Sequence, residues 1–265
     1  MIAQLFLDIE TLPAQRPDVL EEIRADKQVE LDAALAAIKP PGNYKKQETI
    51  DEWLATEAPK IAAGLTAAFD ATVDEAYRKT GLDGAFGQIA CVSFAYRDAE
   101  PLNVWADDWE DPQYEVCVLR NLSDLLGETI QPNMQMACQV VGHNVSAFDL
   151  RFIVQRCIVR GVRPHPVLLR AAQAKPWETD RVFDTMVQWA GPGKTIKLDK
   201  LCKALGLHGK GDMDGSKVWD AIKAGRMSEV AEYCADDVRK VRAVWQRMTF
   251  ADTPLAAPQF EDVPA

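Results

Sequence analysis

The sequence contains no run of about 18 or more apolar residues, so no membrane-spanning helix is expected. Its N-terminus lacks a basic stretch followed by an apolar one, which leaves no export signal to read. It has no C-x-x-C pair, and its three histidines are scattered, so a zinc site built from Cys and His is excluded. The six cysteines (Cys91, Cys117, Cys138, Cys157, Cys202 and Cys234) lie far apart in apolar surroundings and predict buried free thiols in a reducing cytoplasm. Basic charge is also short. At a net charge of −10 the chain is no general nucleic-acid coat protein. Internal repeats are absent.

What is present is an ordinary globular composition, 48% hydrophobic and 26% charged over 265 residues, enough for one large core or two modest ones. The charge is uneven. Residues 151–210 hold twelve bases and four acids, a local +8 on an otherwise acidic chain. Such a segment fits either a local anionic partner or solvated helix faces.

Apolar residues at Ile2, Leu5, Phe6, Leu7 and Ile9 predict a first strand buried on both faces. Asp8 and Glu10 interrupt it, and alternation in a strand sends both carboxylates to one face. Two acids that close repel unless a cation lies between them, and a hard divalent ion suits oxygen ligands. A strand end fraying into solvent is the other reading. Gln4 to Leu7 also faintly resembles a sliding-clamp peptide, but a central strand cannot offer it to a partner.

Residues 14–85 then read as two or three acidic helices. The first runs from about Val19 to Ile38, and Pro40-Pro41-Gly42 breaks the chain after it. Thr49-Ile50-Asp51-Glu52 has the form of a capping box, Pro59 sits where a further helix can begin, and Gly81 can end it. Ile61, Leu65, Phe69 and Val73 make an apolar stripe at helical spacing. Trp53 and Phe69 read as core rather than binding surface. Strands are expected at 87–96, 102–106, 135–142 and 181–186, and helices at 114–130, 147–159, 197–207 and 229–248. This alternation gives an α/β domain with a mixed central sheet. The Pro- and Ala-rich residues 251–265 read as an unstructured tail.

Two further acidic stations follow. The strand ending near Gly142 leads into His143-Asn144-Val145-Ser146-Ala147-Phe148-Asp149, which places Asn144, Phe148 and Asp149 beyond a strand end, where open α/β sheets gather functional residues. Asp149 also reads as a first-turn helix acid, and Asn144 as a turn residue. On the last long helix Tyr233 and Asp237, four apart, share one face that borders solvent or a polar cleft.

In order, Asp8-x-Glu10, Asn144-x-x-x-Phe148-Asp149 and Tyr233-x-x-x-Asp237 resemble the three exonuclease motifs of the DEDD superfamily in its tyrosine-bearing branch. The nearest likeness is to stand-alone 3′–5′ exonucleases related to the proofreading domain of family B DNA polymerases. Lys197-Leu198-Asp199-Lys200-Leu201 and Lys210-x-x-x-Asp214-Gly215-Ser216-Lys217-Val218 add to it. The resemblance covers residues 1–13 and about 86–248, and residues 14–85 depart from it as an insertion into an exonuclease domain of residues 1–250.

The resemblance implies an RNase H-like fold, a mixed five-stranded sheet flanked by helices, and phosphodiester hydrolysis by two divalent cations, Mg²⁺ or Mn²⁺. Asp8 would bridge both ions, Glu10 and Asp237 would complete the first, and Asp149 would anchor the second. Tyr233 would hold the attacking water. Asp236, one residue short of the spacing, is the rival to Asp237. By the same resemblance Thr11 and Leu12 meet the terminal nucleotide, Asn144 and Phe148 line the 3′-end pocket, and Lys194, Lys210 and Ser216 contact phosphates. The expected substrate is the 3′ end of single-stranded DNA in repair or replication, in the cytoplasm. RNase D-like trimming of RNA and catalytically inactive end binding are the alternatives.

Overall fold

The computed structural model describes residues 2–106, 108–191, 193–207, 209 and 213–251. Residues 252–265, read from sequence as a tail, lie outside them. The chain divides into two compact units, one of Met1–Glu10 with Ile89–Ala265 and one of Thr11–Gln88.

The first unit is built on a mixed sheet in the order β3-β2-β1-β4-β5. Its strands are β1 (Ala3–Leu12), β2 (Gln88–Tyr96), β3 (Leu102–Val104), β4 (Cys138–Gly142) and β5 (Val182–Asp184). β4 pairs in parallel with β1 and β5, and β3 pairs antiparallel with β2. Helices α3 (Tyr114–Thr129), α4 (Asp149–Arg160), α5 (Pro166–Ala172), α6 (Thr185–Ala190), α7 (Leu198–Ala204), α8 (Gly215–Lys223) and α9 (Met227–Met248) flank it. This is the RNase H-like exonuclease fold, with a helical segment inserted between β1 and β2.

Leu5, Phe6 and Leu7 are buried in succession, as a central strand covered on both faces requires. Phe6 and Val141 pack on Val238 and Val241 of α9, and Val244 continues that stripe onto Leu201 and Cys202 of α7. Between α3 and α4 lies a buried ion pair. Glu115, fully enclosed, accepts from Arg156 Nε and Nη2 at 2.8 Å each, from Arg160 Nε at 2.6 Å and from the Ile89 amide at 2.9 Å.

In the second unit α1 (Pro17–Ala36) packs against α2 (Gln47–Lys79). The end of α2 is clipped to the segment after Glu10. Tyr77 Oη donates to the Ala14 carbonyl at 2.8 Å, the Ala14 amide donates to Thr80 Oγ1 at 2.8 Å, and Thr11 Oγ1 donates to the Gly81 carbonyl at 2.7 Å.

Several local expectations are corrected. α2 begins at Gln47, where Gln47 Nε2 bonds Asp51 one turn on, so Thr49 lies inside the helix and forms no capping box. α2 also continues through Pro59, which forfeits one amide donor without ending the helix. It ends in a 3₁₀ turn, Thr80–Leu82, without a left-handed glycine. Pro132 starts a second 3₁₀ turn, Pro132–Ala137, so β4 begins only at Cys138. Cys117 is exposed on the face of α3 opposite Val118 and Leu122, while the other five cysteines are buried.

Candidate active site

Even-numbered residues of β1 share one face, and Phe6 fixes that face against α9. Asp8 and Glu10 therefore continue along α9 toward its N-terminus. There Cys234 Sγ lies 3.3 Å from Asp8 Oδ2, and Asp237 turns toward the same space. Asp8, Glu10 and Asp237 each offer a carboxylate oxygen, and the three oxygens lie within 4.8 Å of one another. Among the described residues this is the one group of acids or imidazoles arranged to hold a metal ion.

Asp149 is the first residue of α4 and is buried. Its Oδ1 accepts from the Ile9 amide at 3.1 Å, which ties the start of α4 to β1 between the two strand acids. The loop that delivers it is set by glycine and by a second acid. A Cβ on Gly142 would meet Val145 Cβ at 2.4 Å, so the chain turns there only without a side chain. Asn144 follows at φ 65°, a left-handed conformation that asparagine tolerates. Asp184, at the end of β5, accepts from the amides of Asn144 and Ser146 at 3.0 Å each, and also caps α6 through Met186 and Val187. His143 bridges Thr185 Oγ1 at 2.9 Å and the Ile196 carbonyl at 2.8 Å.

The electrostatics follow from enclosure. Burial, then the charges of Asp149, Glu10 and Asp237, raise Asp8 well above the usual carboxylate range. Burial, Asp237 and Asp149 do the same to Glu10. Burial pushes Asp149 up to about 7 against the pull of its own amide and that of Ile9. Asp237 is also raised by burial, with Lys240 and Tyr233 opposing. Burial and the charges of Asp237, Glu10 and Asp8 raise Tyr233 above an ordinary phenol. Like charges drawn together out of water need a cation or protons. An all-oxygen set of this kind fits a hard divalent ion.

Lys240 escaped the sequence reading. Its ammonium lies 2.9 Å from Asp237 Oδ1, 2.9 Å from Asp236 Oδ2 and 4.0 Å from Asp199 Oδ1. The signal was available, since Asp236 and Asp237 stand four and three residues before it on one helix. Asp184 was missed in the same way, although Asp184-Thr185 at a strand end is a helix-capping pattern.

The expected substrate residues fall in several places. Asn144 and Phe148 flank Asp149 in the loop, with Phe148 half-buried against Phe152. Thr11 and the buried Leu12 belong to the second unit. Lys194 is exposed after α6, and the Ser216 hydroxyl donates to Asp214 at the start of α8. Lys210 lies outside the described residues. Of the bases in 151–210, Arg156 and Arg160 are committed to Glu115, Arg170 to the Cys138 carbonyl and Arg181 to Glu178.

No curated protein matches this sequence. Among solved structures, the family B DNA polymerase from the hyperthermophilic archaeon Pyrobaculum calidifontis is similar in fold, with a TM-score of 0.52 at 14% identity. The match covers 94% of this chain and 25% of the polymerase, so the chain spans about a quarter of that protein. Residues 82–264 match the family described as "Predicted 3'-5' exonuclease related to the exonuclease domain of PolB". That segment is more than half of the chain, and the chain belongs to this family of PolB-related 3′–5′ exonucleases.

Proposed function

We propose that this protein is a two-metal-ion 3′–5′ exonuclease that releases nucleoside monophosphates from the 3′ ends of single-stranded DNA. Residues 1–250 form its exonuclease domain, with 14–85 as a helical insertion. The observation that carries the reading is the convergence of Asp8, Glu10 and Asp237 within 4.8 Å, from a strand and a helix far apart in sequence.

Asp8, Glu10 and Asp237 would hold one Mg²⁺ or Mn²⁺, and Asp8 with Asp149 a second. Bound there, the cations supply positive charge to the attacking and leaving oxygens and acidify a bound water. The remaining work belongs to the chain. Tyr233, held protonated by its buried acidic surroundings, orients the water by its hydroxyl and does not act as a base. Asn144 and Phe148 receive the terminal nucleotide beside Asp149. Lys194, Lys210 and Ser216 are the further substrate contacts, and the setting is DNA repair or replication in the cytoplasm.

The test is a 5′-labelled single-stranded DNA oligonucleotide with Mg²⁺, beside its RNA counterpart and an EDTA control. A descending ladder on DNA is expected, absent with EDTA and absent in a folded Asp8→Ala variant. A ladder on RNA alone would move the enzyme to RNA trimming with the same site. No ladder on either substrate in Mg²⁺ or Mn²⁺ would overturn the reading, as would full activity in Asp8→Ala.

A further inference from the structure

Lys240 is the feature that the proposed chemistry leaves unexplained. Its side chain is only 5% exposed, an uncommon place for a lysine unless it is paired. Its Nζ lies 2.9 Å from Asp237 Oδ1, 2.9 Å from Asp236 Oδ2, 4.0 Å from Asp199 Oδ1 and 5.9 Å from the Tyr233 ring centre. The ammonium thus touches both residues that α9 contributes to the candidate site, and it touches neither strand acid.

An aspartate with one oxygen bonded to an ammonium has the other left for a second cation, so Lys240 selects how Asp237 can ligate. The same ammonium repels any cation bound to that carboxylate, because two positive charges then share one acid. Asp236 offsets this by sharing the ammonium with Asp237. From this geometry we infer that Lys240 is a positioning residue, an internal counter-ion that orients Asp237 and Tyr233 and weakens the site's hold on its divalent ion. The inference rests on the reading that Asp8, Glu10 and Asp237 bind such an ion.

The experiment measures Mn²⁺ binding to the full chain by electron paramagnetic resonance of the free ion, beside single-turnover cleavage at saturating Mn²⁺. Lys240→Met is expected to bind Mn²⁺ about tenfold more tightly, because a neighbouring positive charge is gone. It should also cleave at least tenfold more slowly, because Asp237 and Tyr233 lose their tether. Lys240→Arg, which keeps the charge, should bind Mn²⁺ within about threefold of the wild type and recover part of the rate. A merely structural lysine would weaken binding and cleavage together, and that result overturns the inference, as does an unchanged Lys240→Met. If Lys240→Met does not fold, Asp236→Asn decides. It leaves the ammonium to Asp237 and should weaken Mn²⁺ binding several-fold, and unchanged binding overturns the inference. Failure of the wild-type chain to bind Mn²⁺ would instead overturn the metal reading itself, and this inference with it.

Discussion

Without metal the protein should lose stability as pH rises from 4 to 7, the reverse of ordinary acid denaturation. Burial holds the Asp149 proton in the native state up to about 7, against an ordinary 3.8. Between those limits the native state binds more protons than the unfolded one, so each rise in pH favours unfolding. The gap of about three units corresponds to about 4 kcal/mol, present below pH 4 and lost by pH 7. Asp8 and Glu10, raised by the same burial and by one another, add to the slope in the same direction. For a chain of this size 4 kcal/mol is on the order of 10 °C in Tm. Thermal melts in EDTA from pH 4 to 8 should show that fall. Saturating Mn²⁺ should abolish it, since a cation binds the deprotonated cluster more tightly as pH rises. Asp149→Asn should flatten the EDTA profile by about the amount assigned to Asp149. An EDTA profile that rises from pH 4 to 7, or a slope unchanged in both Mn²⁺ and Asp149→Asn, would refute the electrostatic account.

Other outcomes are as definite. Tyr233→Phe should lower turnover about a hundredfold while leaving the Mn²⁺ binding isotherm in place, because the phenol is assigned to the water and not to the ion. Steady-state kinetics beside a metal titration checks both halves. Gly142→Ala should cost about 1–3 kcal/mol in a urea melt, through the contact with Val145. Its activity should fall further than that stability loss explains, because the displaced loop carries Asp149.

The sequence revealed the order of strands and helices in the first unit because the core obeys simple periodicity. Leu5, Phe6 and Leu7 mark a strand buried on both faces, and Val238, Val241 and Val244 mark a helix with one buried side. The meeting of Asp8, Glu10 and Asp237 followed from alternation on β1 and from the order of the motifs. Residues whose signal depends on partners distant in sequence stayed hidden. Asp184 fixes the loop before Asp149 by accepting amides some forty positions away, and no local pattern announces that. The capping box at Thr49 and the start expected at Pro59 failed for a different reason. Both are local preferences worth a few kcal/mol at most, and a long helix overrides them. In the basic segment Arg156 and Arg160 serve Glu115 and Arg170 the Cys138 carbonyl, a use that charge counting along the chain does not register.

The acid cluster draws its members from residues 8, 10 and 237, and Asp149 is bonded to the Ile9 amide between the two strand acids, so the arrangement exists only while β1, α4 and α9 are all in place. A cation seated there would act as a clasp on these elements. It has no site on a chain in which α9 has peeled away, and it stabilises the closed state in proportion to the logarithm of its concentration over Kd. Loss of the ion and opening of the fold would then be linked. Depletion of divalent cations would then both silence the nuclease and expose α9 to proteases, and resupply would restore the cutting edge and the closed chain together.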